Sequence, residues 1–186
     1  MSADLENQKI LLANLESLFQ EGGLQTKLEE PDDYAPFYTL ISRFANLGKE
    51  ENFVVDLQLS FLPLVVSRSS DISSKKYLFQ IFVEIIEEFN ETQELEILKT
   101  INKINSKIST GSFGITGTVV YFKWNVMFDT NINLNLSLYT SLLESYCDCA
   151  LFTIDHFIDT ISQVSTTQVS ATQALEINDH LGFFKT

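Results

Sequence analysis

Between Phe53 and Phe61 the chain alternates without a break. Phe53, Val55, Leu57, Leu59 and Phe61 take one phase, and Val54, Asp56, Gln58 and Ser60 take the other. Successive side chains of a β-strand point to opposite faces, so the run predicts a strand with one buried face and one partly wet face. Such a strand needs antiparallel neighbours and an apolar cover for its inner side. That requirement constrains how the remaining segments can be used.

The preceding run, Phe37 to Phe44, reads as a partner strand. Asn46-Leu47-Gly48-Lys49 joins the two as a hairpin turn, because Asn and Gly tolerate positive φ. Pro63 ends or bends the second strand, and Ser67 to Ser74 is a polar loop. The spacing of Leu78, Ile81, Phe82, Ile85 and Ile86 within Tyr77–Glu87 would also suit a helix. The β-branched and aromatic content favours a strand, as does Asn90, which starts a fresh helix with Gln93 three residues on. The following helix carries Leu95, Leu98, Ile101 and Ile104 on a broad stripe with Ile97 and Ile108. Ser112 to Thr116 and Val119 to Phe128 form a hairpin around Gly117.

Helices are expected at both ends. Leu5, Leu11, Leu12, Leu15, Leu18 and Phe19 recur mostly at three- and four-residue steps from about Asp4 to Gln20, and Gly22-Gly23 ends that helix. Glu29 to Asp33, with Pro31 inside it, is a charged linker. The last main helix starts near Asn135 or Ser137 and runs to about Val164. These elements imply an α+β fold, with an antiparallel sheet, helices mainly on one face and the order α-β-β-β-α-β-β-α. Residues 1–164 form a single domain on this reading, and residues 165–186 a C-terminal tail, partly flexible because Ser165 to Gln173 is rich in Ser, Thr and Gln. Phe183-Phe184 would be odd in a wholly solvated tail.

Charge narrows the function classes. The 186 residues carry a formal net charge of -13, which repels phosphate backbones and anionic lipid surfaces, so no nucleic-acid or membrane partner is expected. Arg43 and Arg68 are the only arginines, too few to build bidentate clamps on phosphate or carboxylate. No signal peptide and no membrane-spanning run is visible in the sequence. Cys147 and Cys149 sit two apart on a helix, so an unstrained disulfide between them is implausible; reduced thiols in a cytoplasmic protein are the simplest reading.

No catalytic, metal or cofactor set emerges. Asp155, His156 and Asp159 have the look of an acid–base or metal cluster, but a solvated helix edge is the plainer reading, and His180 is the only other histidine. Cys147 and Cys149 lack the second pair a zinc site needs. Gly111 to Gly117 loosely resembles a phosphate loop, but it lacks the Lys-Ser/Thr pair and lies between two strands. The carboxylates Glu84, Glu87, Glu88, Glu91, Glu94 and Glu96 read mostly as a solvated face, or as a surface that attracts basic partner segments. The chain therefore reads as non-enzymatic.

The stretches Tyr77-Leu78-Phe79-Gln80-Ile81-Phe82, Ile97 to Asn105, Gly111-Ser112-Phe113-Gly114-Ile115 and Thr118 to Phe128 resemble the bacterial YbjN-type family, and the element order resembles the type III secretion chaperone-like fold. The most specific piece is Leu98, Ile101, Asn102 and Asn105. The resemblance implies a small, acidic, cytoplasmic, dimeric, non-enzymatic protein that binds protein segments. It also makes the second helix, with Leu98, Ile101 and Ile104, the dimer element. The segment after Val164 departs from the secretion chaperones.

The chain holds fifteen Phe, and the strand Val119 to Phe128 looks apolar on both phases. Helices on one side only would leave an apolar face open for a second copy or a client, unless the helices and tail close it within the chain. Phe122, Trp124, Val126 and Phe128 are the expected partner-binding residues, receiving a partner segment on that face or at an edge strand. The alternative is a small-molecule or lipid sensor, with the aromatic interior enclosing an apolar ligand.

Overall fold

The alternating run forms β3, Phe53–Pro63, and every odd position from 55 to 61 is buried. A computed structural model describes residues 3–49, 52–63, 76–129, 135–166, 169–179, 182 and 184. The polar loop at 67–74 and His180 lie outside them. In order, α1 is Ala3–Glu21, β1 Gln25–Glu29, β2 Thr39–Leu47, β3 Phe53–Pro63 and β4 Lys76–Ile86. A short 3-10 turn at Glu91–Gln93 leads into α2, Glu94–Asn105; then come β5 Ser112–Thr116, β6 Val119–Asp129, α3 Leu136–Thr166 and α4 Ala171–Ile177. The six strands form one antiparallel sheet in the order β1-β2-β3-β4-β6-β5, so the fold is α+β and the predicted order of elements stands. The segment 77–87 is a strand. Two short elements were not foreseen. The residues leading into the charged linker form β1, which ends at Glu29, and the stretch read as a flexible tail carries α4.

Local chemistry explains the boundaries. Gly23 takes φ 82° at the end of α1, where the Gly23 N–H donates to the Gln20 carbonyl and the Leu24 N–H to the Phe19 carbonyl. This paired closure of the last carbonyls ends the helix. The Asn90 side chain accepts from the Thr92 N–H before α2. In the β2–β3 turn Asn46 and Gly48 have φ of 61° and 81°.

The chain divides into two compact units. The first comprises Met1–Phe44, Asp56–Phe82 and Asn125–Asp148. Its core is the inner phase of the strands, Leu40, Leu57, Leu59, Phe61, Phe79, Ile81 and Phe128, together with Leu11, Leu12 and Leu15 of α1 and Leu143 of α3. Phe61 is the hub, with ring centroids 5.2 Å from Phe79 and 5.3 Å from Phe128. Tyr139 of α3 covers Phe128 at 5.1 Å, and Phe19 of α1 meets Phe44 at 5.7 Å. Each fully buried Leu or Phe contributes about 1.5–3 kcal/mol, so this phase dominates the unit's stability.

The second unit comprises Ala45–Val55, Val83–Trp124 and Cys149–Thr186. Here Ile97, Ile101 and Ile104 of α2, Phe113 and Phe122 of the β5–β6 hairpin, and Phe157, Ile158 and Ile161 of α3 are buried. Phe113 lies 5.1 Å from Phe122 and 6.2 Å from Phe157. Phe184 reaches Phe157 at 6.3 Å, which accounts for an aromatic residue near the chain end.

Two glycines of the hairpin differ in what they protect. Gly111 has φ +66°, and a Cβ there would collide with the Phe122 ring. Gly117 has φ +57° with nothing within 4 Å of the Cβ position. Gly117→Ala should cost about 1 kcal/mol, the left-handed backbone term alone. Gly111→Ala adds overpacking and should cost about 2–4 kcal/mol. Urea unfolding of the two variants checks this; equal costs would mean that Phe122 yields freely.

Candidate functional site

The inner phase of β6 holds Val120, Phe122, Trp124, Val126 and Phe128, the wholly apolar one. Phe122 is 0% and Phe128 4% exposed, and Trp124 and Val126 are half-buried. Phe122 and Phe128, two of the four expected partner-binding residues, are therefore core, with Phe113 against Phe122 and Tyr139 against Phe128, while Trp124 and Val126 keep partial exposure. The reason is alternation. Lys123 and Asn125 occupy the opposite phase, and a buried unpaired amine costs far more than a buried Met gains, so that phase faces water.

Among the described residues the opposite face is the more accessible one, and other residues carry it. In the first unit it displays Leu78, Gln80 and Phe82 from β4, Asp56 and Gln58 from β3, Ile41 and Arg43 from β2, and Asn125 and Met127 from β6. Met127 is 62% exposed. Four of its polar side chains pair within the face: Arg43 Nε and Nη2 donate to the two Asp56 carboxylate oxygens, each at 2.8 Å, and Gln80 Nε2 donates to Asn125 Oδ1 at 3.0 Å. The Arg43 guanidinium holds the Asp56 carboxyl below its ordinary range. Lys27 and Glu29 of β1 pair at 2.9 Å on the same side, so the fixed charges of this part of the face cancel. In the second unit the open side shows Val54, Glu84, Ile86, Tyr121 and Lys123, with the Tyr121 ring lying over Gly114.

The expected dimer stripe on α2 also turns inward. Ile101 and Ile104 are 3% and 0% exposed, next to β5 and α4, and only Leu98, at 39%, reaches the surface. A charge placed at Ile101 would break the core rather than an interface. Leu95, 63% exposed, is the outermost apolar residue of α2.

Asp155 and Asp159 do structural work. Asp155 Oδ1 accepts the Gly48 N–H at 2.8 Å, and Asp159 Oδ2 accepts the Lys49 N–H at 2.6 Å, so two carboxylates one helical turn apart hold the β2–β3 turn. His156 packs edge-on against Phe157. Among the described residues no group of three or more His, Cys, Asp or Glu side chains converges as a metal site. Cys147 is buried, and burial pushes its thiol pKa well up, whereas Cys149 is exposed.

A shallow cleft of about 330 Å³ opens in the first unit between Asn14, Ser17 and Glu21 of α1 and Ser137, Thr140 and Glu144 of α3. Beside Leu18, its hydroxyls, one amide and two carboxylates could receive the polar groups of a small or cationic molecule.

No protein-family model matches this chain, and no curated protein does.

Of the acidic run, Glu84, Glu87, Glu88, Glu91 and Glu94 are solvated. Glu96 is committed: Oε2 accepts the Ala171 N–H at 2.9 Å, and Oε1 accepts from Lys99 at 2.6 Å. Both bonds anchor its charge, the Lys99 bond most strongly, and hold its pKa below the ordinary 4.5. Because the folded value is the lower one, the tether to α4 is complete above the ordinary value and fades as pH falls through the folded value. Hydrogen exchange at Ala171 should therefore accelerate in acid, beyond the acid dependence of exchange itself, and Glu96→Gln should remove that response. An identical response in the variant would exclude Glu96 as its source.

Proposed function

We propose that this chain is a non-enzymatic, cytoplasmic binding protein that holds a segment of a protein partner on the open face of its sheet. The carrying observation is the composition of that face in the first unit. Leu78, Phe82 and Met127 supply apolar area, while Arg43–Asp56 and Gln80–Asn125 already satisfy one another. A partner covering such a face desolvates no lone charge, and apolar contact supplies the affinity. Among the described residues no helix is long and apolar enough to cross a membrane, which is compatible with a cytoplasmic setting. Membership of the YbjN-type family, with its chaperone-like or regulatory binding role and its homodimers, remains part of this proposal; the stretches quoted above support it.

The α1–α3 cleft favours a second reading, a small-molecule sensor. Its ligand would be polar or cationic, since the described core aromatics pack against one another.

The two readings separate by mutation. A partner purified with the wild-type protein should be lost from Met127→Glu and kept by Leu95→Glu, a control with the same charge on an equally exposed helix position. Affinity for the partner should fall at least about tenfold in the first variant, the loss of one well-placed apolar contact. Equal binding by both variants would remove the sheet face from the mechanism.

A further inference from the structure

The sheet ends at β1 and β5. A terminal strand presents unpaired main-chain groups that invite another strand. In antiparallel pairs, residues alternate between those bonded to the neighbouring strand and those whose N–H and C=O point away. Phe113 is opposite Phe122 in β6, yet its N–H donates to Asn105 Oδ1 at 2.9 Å and its carbonyl accepts from Asn105 Nδ2 at 2.9 Å. Both main-chain groups of Phe113, the first of two residues of β5 that face the edge, are thus taken by one side-chain amide, at the last residue of α2. The amide offers β5 the same donor and acceptor that an incoming strand would offer.

The opposite edge repeats the arrangement with different chemistry. Leu28 is opposite Leu40 in β2, and its N–H donates to Glu16 Oε1 of α1 at 3.1 Å. Thr26, the next residue facing that way, also reaches Glu16 Oε1 through its hydroxyl, at 3.4 Å. Each terminal strand is therefore met by a polar side chain of its own covering helix.

We propose that Asn105 and Glu16 close the two sheet edges to strand addition, and that Asn105 is what keeps β5 of one copy from pairing with β5 of another. Pairing of two β5 strands about a two-fold axis would engage the Phe113 N–H and C=O that Asn105 now holds, whichever residue of β5 lies on the axis. The partner is a second copy because two identical antiparallel edges close on a two-fold axis and leave no further edge to extend. The inference stands on the edges alone and holds whether or not the open face binds a protein.

Two measurements test it. In the wild-type protein the Phe113 N–H should exchange about tenfold more slowly than the Ile115 N–H, which by the same alternation points to the same edge. Asn105→Ala should stay folded by circular dichroism and shift to about twice the wild-type mass in light scattering. Asn105→Ala combined with Ile115→Pro, which deletes an edge N–H, should return to the wild-type mass. The proposal is overturned if folded Asn105→Ala keeps both the wild-type mass and the wild-type Phe113 exchange. It is also overturned if the larger species persists in the double variant. Should Asn105→Ala fail to fold, the wild-type exchange decides: Phe113 exchanging as fast as Ile115 sinks the idea.

Discussion

The inner phase of the strands, apolar at almost every position, holds the fold together. Phe61 touches Phe79 and Phe128, and Phe113 touches Phe122 and Phe157, so aromatic rings bridge neighbouring strands and tie strand to helix. With that phase under helices, the opposite phase keeps the more accessible residues among those described. The character of the outer side then follows from what alternation leaves there: Lys123, Asn125, Gln80, Asp56 and Arg43 among Leu78, Phe82 and Met127. Arg43 and Asp56, and Gln80 and Asn125, satisfy each other across strands, which makes an accessible apolar fraction tolerable in water.

Much of the fold was legible in the sequence because it is written in periodicity. The phase of β3, the glycine stop of α1, the positive-φ residues of the β2–β3 turn and the hairpin around Gly117 each depend on local chemistry. Two features were not local. β1 has only Leu28 as an aliphatic residue, and its pairing with β2 depends on register rather than on composition. For α4, the capping box of Ser170 and Gln173 was present in the sequence, but the Ser/Thr/Gln-rich context obscured it. β6 looks apolar on both phases, and Lys123 and Asn125 decide which of them faces out.

A second layer of organisation escapes periodicity altogether. Glu16, Glu96, Asn105, Asp155 and Asp159 all sit on helices, and each accepts a main-chain N–H from another segment. The acceptors are ordinary surface residue types, and their targets are backbone groups that carry no sequence signature. Read alone, Asp155 and Asp159 suggest chemistry and Glu96 suggests a solvated charge. Their positions show tethers that satisfy donors at the β2–β3 turn and at the start of α4, donors the elements themselves leave unpaired.

The two cysteines stand two residues apart on α3, and the helix sends them to opposite environments: Cys147 buried, with its thiol pKa raised, and Cys149 exposed. A thiol reagent added to the native protein thus meets one ready sulfur and one that is both hidden and held in its unreactive form. Alkylation of Cys147 requires the surrounding core to open, so the second label counts openings of α3 from the sheet. The chain carries a chemical clock for its own unfolding, readable by mass and needing no engineered probe.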